Sequence, residues 1–219
     1  RLGLLDTADA DATTVDIALT TTGSLLTLTA SSSLDVDNVR FAADRMDIAV
    51  PSAIAAANSL TLETMSGAFW QIDLGSVVDN TATRLELSDA EIGRLTATTL
   101  RIGRTGSGGT ITFSTDITPA VGVSNVHLLT HGSVIGTAGG LTATNGAKNL
   151  AITLSNIGAG SVNMTDSNTN VNTLAISAPL QNVTFTDASG LTVGAVDSVN
   201  GVTGSNVALS ATLGDLTVN

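Results

Sequence analysis

Five carboxylates crowd one stretch of the chain, Asp73, Asp79, Glu86, Asp89 and Glu91, with Arg94 and Arg101 just beyond them. Two carboxylates a few ångströms apart can cleave a glycosidic bond, one as acid and the other as base or nucleophile. Glycosidases and lyases of β-helical shape hold such pairs in a groove. Here no two of the five fall into a recognisable catalytic spacing. Solvated charges on outward strand positions and turns, some paired between neighbouring coils, account for them better.

His127 and His131, in HLLTH, raise a second chemistry. On a helix, four residues apart, they would share a zinc ion; along a strand they stand roughly 13 Å apart and cannot. Val126-His127-Leu128 alternates like a strand, so the two read as a surface pair. The Asp-rich stretches Asp6–Asp16 (DTADADATTVD) and Leu34–Asn38 (LDVDN) offer carboxylate oxygens to Ca2+. Neither completes an EF-hand loop, and the GGxGxDxUx nonapeptide does not occur. Weak Ca2+ binding is therefore the one cofactor expectation, and acidic turns that keep the chain soluble are the preferred reading.

Thr-x-Thr pairs (Thr27-Thr29, Thr96-Thr98, Thr110-Thr112, Thr142-Thr144, Thr184-Thr186) raise an ice-binding face, but they are out of register at one coil period. Phe69-Trp70 holds the one Trp and reads as core filling ahead of sugar stacking or a subunit contact. No residue receives a catalytic, cofactor-binding or metal role, and the chain is not expected to be an enzyme.

The elements that would position these groups follow from a recurring unit, apolar-x-apolar. It runs through Leu26-Leu28, Ile48-Val50, Leu60-Leu62, Leu100-Ile102, Ile111-Phe113, Leu150-Ile152 and Leu174-Ile176 to Leu216-Val218, about every 12 residues. Period-two alternation marks strands, and TGSGG, TNGAKN, TDSNTN and TDASG between them are turn material. Short strands at this spacing fit a sandwich, a barrel or a solenoid. The solenoid is favoured for three reasons. The repeat never breaks, hairpin-type Asn-Gly turns are few (Asn145-Gly146, Asn200-Gly201), and the inward residues are small aliphatics.

Composition agrees. Of 219 residues 42% are hydrophobic but only 2% aromatic, which suits a long thin core of stacked Leu, Ile, Val and Ala. The net charge is −11 with a single Lys, so nucleic acid and anionic membranes are excluded as partners. Residues 1–110 carry 14 of the 19 acidic and seven of the eight basic side chains. There is no Cys, hence no disulfide and no thiolate zinc site, and no apolar run is long enough for a transmembrane helix.

The expected fold is thus all-β: one parallel right-handed β-solenoid over residues 1–219, with roughly nine or ten coils in a rod of roughly 45 Å. Residues 1–60 read as more irregular, acidic coils and 61–219 as regular ones. The Ala-rich stretch Ser33–Leu60 includes room for a helical turn, limited by Pro51 and its β-branched residues.

Ala82–Ala120 (ATRLELSDAEIGRLTATTLRIGRTGSGGTITFSTDITPA) and Leu174–Val218 carry strings of the form LxL-x-(D/N)A-x-x-L and LTVG-x-V. In these the chain resembles the repeat region of filamentous-haemagglutinin-type large bacterial surface proteins. The likeness covers at least residues 82–218. It implies export to the cell surface, a right-handed β-helical shaft, and adhesion, biofilm or filament roles. The NPNG- and NPNL-like motifs of that family's secretion domain do not occur here, so the chain reads as a piece of shaft. No end cap is visible in RLGLLD or LGDLTVN. Open strand edges pair with another copy end to end, as a homopolymer, or with flanking repeats of a longer chain. Host or matrix glycans are the other expected partners, through a glycan-binding or polysaccharide-active alternative.

Overall fold

A computed structural model describes residues 14–28, 31–33, 36–49, 53–66, 70–78, 81–106, 109–155 and 160–219. The apolar-x-apolar runs are strands, and they wind into a parallel β-solenoid of about eight turns with no separate domain. One side of the coil stacks Thr14–Ala18, Asn38–Ala42, Ser59–Glu63, Thr99–Gly103, Asn125–Thr130, Asn149–Leu154 and the start of Thr173–Asp187. A second side stacks Gln71–Leu74, Ile111–Phe113, Val134–Gly136, Ser161–Met164 and the end of Thr173–Asp187. That 15-residue strand turns the corner and merges both ladders into one 15-stranded sheet. A shorter third side passes through Ser31–Ser33, Ala53–Ala55 and Leu95–Thr96.

Register places like on like. Val39, Leu60, Leu100, Val126, Leu150 and Leu174 form one inward row of the first side. Phe41, Leu62, Ile102, Leu128, Ile152 and Ile176 form the next, and every member of both rows is at most 2% exposed. Each buried Leu or Ile contributes ~1.5–3 kcal/mol, so a narrow, mostly aliphatic interior suffices with few aromatics, Phe41, Phe113 and Phe185 being the large buried ones.

The sequence spacing predicts nine or ten coils, and the count falls to about eight because one turn is long. Ser59 pairs with Thr99, 40 residues on, whereas Asn125 pairs with Asn149, 24 residues on. The extra length contains an additional second-side strand. Gln71–Leu74 and Arg84–Leu87 lie side by side in parallel.

Between Ser33 and Leu60, where irregular coils are expected, the described residues form the strands Asn38–Ala42, Arg45–Ile48 and Ala53–Ala55 in regular pairing. Ala42 and Ala43 fill a tight corner, both fully buried, which is a packing role and not a helix signal. The helical turn lies at Asp89–Ile92, where Ser88 and Glu91 form a capping box. Corners are pinned by buried carboxylates. Asp44 accepts from Gly23 N–H at 2.8 Å and from Ser66 N–H at 2.6 Å, so it ties three successive turns.

Candidate functional site

Along the first side, Arg101, His127, Ala151 and Ala175 occupy one outward row, each directly beside the next. They point outward because their neighbours in sequence, Leu100 and Ile102 for Arg101, fill the core. A hairpin folds back over this row. The chain leaves the ladder after Leu191–Val193, forms Ala195–Val196 and Val199–Asn200, and rejoins at Val202–Ala211. At its neck Gly201 N–H donates to Gly194 O at 2.8 Å. At its tip Asp197 and Ser198 have φ of 42° and 69°, the doubly left-handed backbone of a type I′ turn. Val196 and Val199 pack on Ala151 and Ala175, and the two alanines are fully buried beneath them. Larger side chains on that row would hold the hairpin off the sheet.

The tip delivers Asp197 to two cations of the row. Arg101 donates from Nε to Oδ2 at 2.8 Å and from Nη2 to Oδ1 at 2.6 Å. His127 Nδ1 lies 2.7 Å from Oδ2, and His127 Nε2 lies 2.9 Å from Thr153 Oγ1. An ionised carboxylate only accepts, so neutral His127 carries its proton on Nδ1 and receives the Thr153 hydroxyl at Nε2. Burial pushes the imidazole below its ordinary pKa against the pull of Asp197, and the nearby Arg101 charge adds to the depression. Burial raises the Asp197 carboxyl, but hydrogen bonds and charge from Arg101 and His127 outweigh this and hold it below the usual carboxylate range.

Hydroxyl, imidazole and carboxylate in this order match the arrangement that activates a nucleophile. Acyl transfer needs, in addition, donors aimed at a developing oxyanion. Thr153 sits within a sheet whose N–H groups lie in plane and bond neighbouring strands. The carboxylate is held at both oxygens by Arg101. The contacts of Asp197 with Arg101 and His127 fix the hairpin to the sheet as a charge-assisted clip.

The five carboxylates of the sequence do not form one cluster, and Asp73, Glu86 and Glu91 are buried where solvated charges are expected, each held by hydrogen bonds that tie strands and loops. Asp73 and Glu86 are brought together, directly opposed on adjacent strands and buried. Glu86 accepts from Ser76 Oγ at 3.1 Å, Thr81 N–H at 3.1 Å and Thr81 Oγ1 at 2.8 Å. Arg84 holds Asp73 Oδ2 at 3.1 Å, and the buried Asp73 Oδ1 has no hydrogen-bond partner. Asp89 accepts from Thr118 N–H at 2.6 Å. Glu91 accepts from Ile48 N–H at 2.9 Å and Ser88 N–H at 2.8 Å, and Arg94 donates to Ile48 O. Asp79 lies outside the described residues.

His127 is on a strand, as its alternation predicts, but it is not on an open surface: the hairpin leaves it 6% exposed. His131 reaches Ser155 Oγ at 3.4 Å. Of the Asp-rich stretches, residues 6–13, Leu34 and Asp35 lie outside the described residues. Asp16 pairs with Arg40 at 2.6 Å, and Asn38 accepts from Ser59 Oγ at 2.6 Å. Among the described residues no three His, Asp or Glu side chains converge as a metal site. Thr112 stands beside Asp73 and Ile135, and Thr184 beside Asn163 and Ala208, so these Thr-x-Thr pairs build no continuous ladder. Trp70 is half-buried, and Phe69 lies outside the described residues.

A second feature is the last turn. Val207, Leu216 and Val218 are in register with Val183, Leu191 and Val193, which are 1%, 1% and 4% exposed. The last-turn residues are 45%, 44% and 73% exposed. Their strands continue the inward rows with no further strand paired beyond them among the described residues.

No family model, curated protein or solved structure matches this chain. Sequence reasoning missed the clip. A two-residue turn between Val196 and Val199 was its signal, hidden because Asp-Ser is a weaker hairpin dipeptide than Asn-Gly.

Proposed function

We propose that this chain is a non-enzymatic structural β-solenoid of a bacterial cell surface, a subunit or segment of an extracellular filament or adhesin shaft. The observation that carries this reading is the exposed apolar row of the last turn. Inward positions there are filled by apolar residues in register with the buried ones of the turn beneath, and among the described residues no turn covers them. A further coil, from a second copy or from flanking repeats, would bury Val207, Leu209, Leu216 and Val218 and pair the free ladder edge. The likeness of Ala82–Ala120 and Leu174–Val218 to filamentous-haemagglutinin-type repeats supports the same reading and the surface location.

Electron microscopy of the purified chain at moderate salt tests it. Filaments with an axial repeat of roughly 40 Å, eight turns at ~4.8 Å, are the expected result. Discrete rods that stay separate at high concentration would overturn end-to-end assembly.

A glycan-binding reading has one observation in its favour. A groove of about 430 Å³ runs beside Asp116, Thr118, Thr142, Asn168 and Asn170, offering hydroxyl and amide groups from successive turns. Retention on a glycan array, lost on Asn170→Ala, would favour it.

A further inference from the structure

In a solenoid each turn touches only its neighbours, so a terminal turn frays with nothing but the adjacent turn to hold it. The hairpin breaks that rule. It springs from the strands that pair with Thr173–Asp187, crosses Ala175 and Ala151, and ends on His127 and Arg101, several turns back along the rod. The two segments it joins, Leu191–Val193 and Val202–Ala211, lead into the exposed apolar row of the last turn.

We infer that the hairpin Ala195–Asn200 is a side clasp that holds the stacking edge of the last turn in register, and that acid opens it. This rests on the stacking reading for its biological use, though not for its physics. Three independent features build the clasp. The alanine pair seats it, the neck hydrogen bond between Gly194 and Gly201 closes it, and the two-point Arg101–Asp197 pair locks its tip. The charged or titratable groups facing His127 are Asp197 from the hairpin and Arg101 from Thr99–Gly103. The strand Asn149–Leu154 presents only Ala151 and Thr153 to the cluster, and Thr173–Asp187 presents Ala175. Protonating Asp197 removes the charge that Arg101 holds. Protonating His127 places a second cation beside Arg101 in a buried site. Both events favour the open form.

Hydrogen exchange read by mass spectrometry, on the full chain at a concentration where it is monomeric, tests the clasp without any assembly. Asp197→Asn keeps a residue that tolerates the left-handed turn and removes only the charge. At neutral pH it should speed exchange of the segment 202–218 by about tenfold, the size expected for losing a two-point charge-assisted pair at a partly screened site. Strands Asn125–Thr130 and Asn149–Leu154 should exchange as in the wild type. On acidification the wild type should converge on the variant. A second variant deletes 195–200, joining residues that already meet at the neck, and should behave as D197N does. Equal exchange of 202–218 in wild type and both variants at neutral pH would overturn the clasp, as would failure of the deletion variant to fold. If exchange responds as expected but no filaments form at any concentration, the clasp stands and the stacking reading falls. Filaments with unresponsive exchange give the reverse.

Discussion

Arg101 and Asp197, 96 residues apart in sequence, meet in a two-point ion pair, Nε to Oδ2 at 2.8 Å and Nη2 to Oδ1 at 2.6 Å. Where the Asn149–Asn125 side-chain hydrogen bond joins residues 24 apart, this pair and the His127–Asp197 contact, 70 residues apart, reach several turns back along the rod.

The fork of the guanidinium is what makes the pair two-pointed, so Arg101→Lys is not a conservative change. About a third of the Arg101 side chain is exposed, and solvent screens the pair. A loss of ~1 kcal/mol in urea denaturation is expected at low salt, shrinking as salt is raised. An undiminished loss in high salt would assign the effect to packing instead.

Acid should weaken the fold in two steps. The folded imidazole of His127 has a pKa below its ordinary 6.5, so the folded state binds fewer protons than the unfolded chain. Its contribution is present above 6.5 and fades as pH drops beneath that value. Asp197, also held below its ordinary 3.8, contributes above that value and is lost as pH falls through its lower folded pKa. The thermal midpoint of the wild type should fall below pH 6.5 more steeply than that of His127→Gln, measured by circular dichroism. Parallel curves would contradict the assignment.

Ile152 and Thr153 are neighbours with opposite orientations, one fully buried in the core row and the other facing His127. Ile152→Ala should cost ~2–5 kcal/mol through the lost side chain and the cavity. Thr153→Ala removes one hydrogen bond and should cost ~0.5–1.5 kcal/mol. Chemical denaturation of both variants checks the inward–outward assignment directly, and equal losses would refute it.

Gly103 and Gly146 share a left-handed backbone, with φ of +86° and +91°. A Cβ on Gly103 would lie 2.2 Å from Leu129 O, while one on Gly146 would meet nothing within 4 Å. Gly146→Ala should therefore show only the conformational penalty of ~1–2 kcal/mol. Gly103→Ala must also push two strands apart, and its melting temperature should fall clearly further. Similar melting temperatures would mean that the strand gives way freely at Gly103.

Much of the fold is legible in single stretches of sequence. Leu100-Arg101-Ile102 and Ile111-Thr112-Phe113 alternate as strands and are strands, with Arg101 and Thr112 turned out of the core. Which strand lies beside which is not legible, because a ladder between Ser59 and Thr99 has no local signature. Without the register, the 40-residue turn reads as extra coils, and the count comes out high. Asp73 and Glu86 meet only because two second-side strands lie side by side. The clip was further out of reach. Ala151 and Ala175 look like ordinary strand residues until a hairpin is known to cover them, and nothing near Asp197 announces Arg101.

The spacing of the ladder also bears on how the rod answers a pull along its axis. Loaded through its ends, a stack of parallel turns peels one turn at a time, since the load falls on the last row of hydrogen bonds. Each ordinary turn of 24 residues releases roughly 80 Å of chain, and the 40-residue turn between Ser59 and Thr99 roughly 140 Å. A force trace from one molecule would therefore be a staircase with one tall step. Peeling from the C-terminal side would meet the Arg101–Asp197 pair early, before the turns beneath the hairpin could unwind.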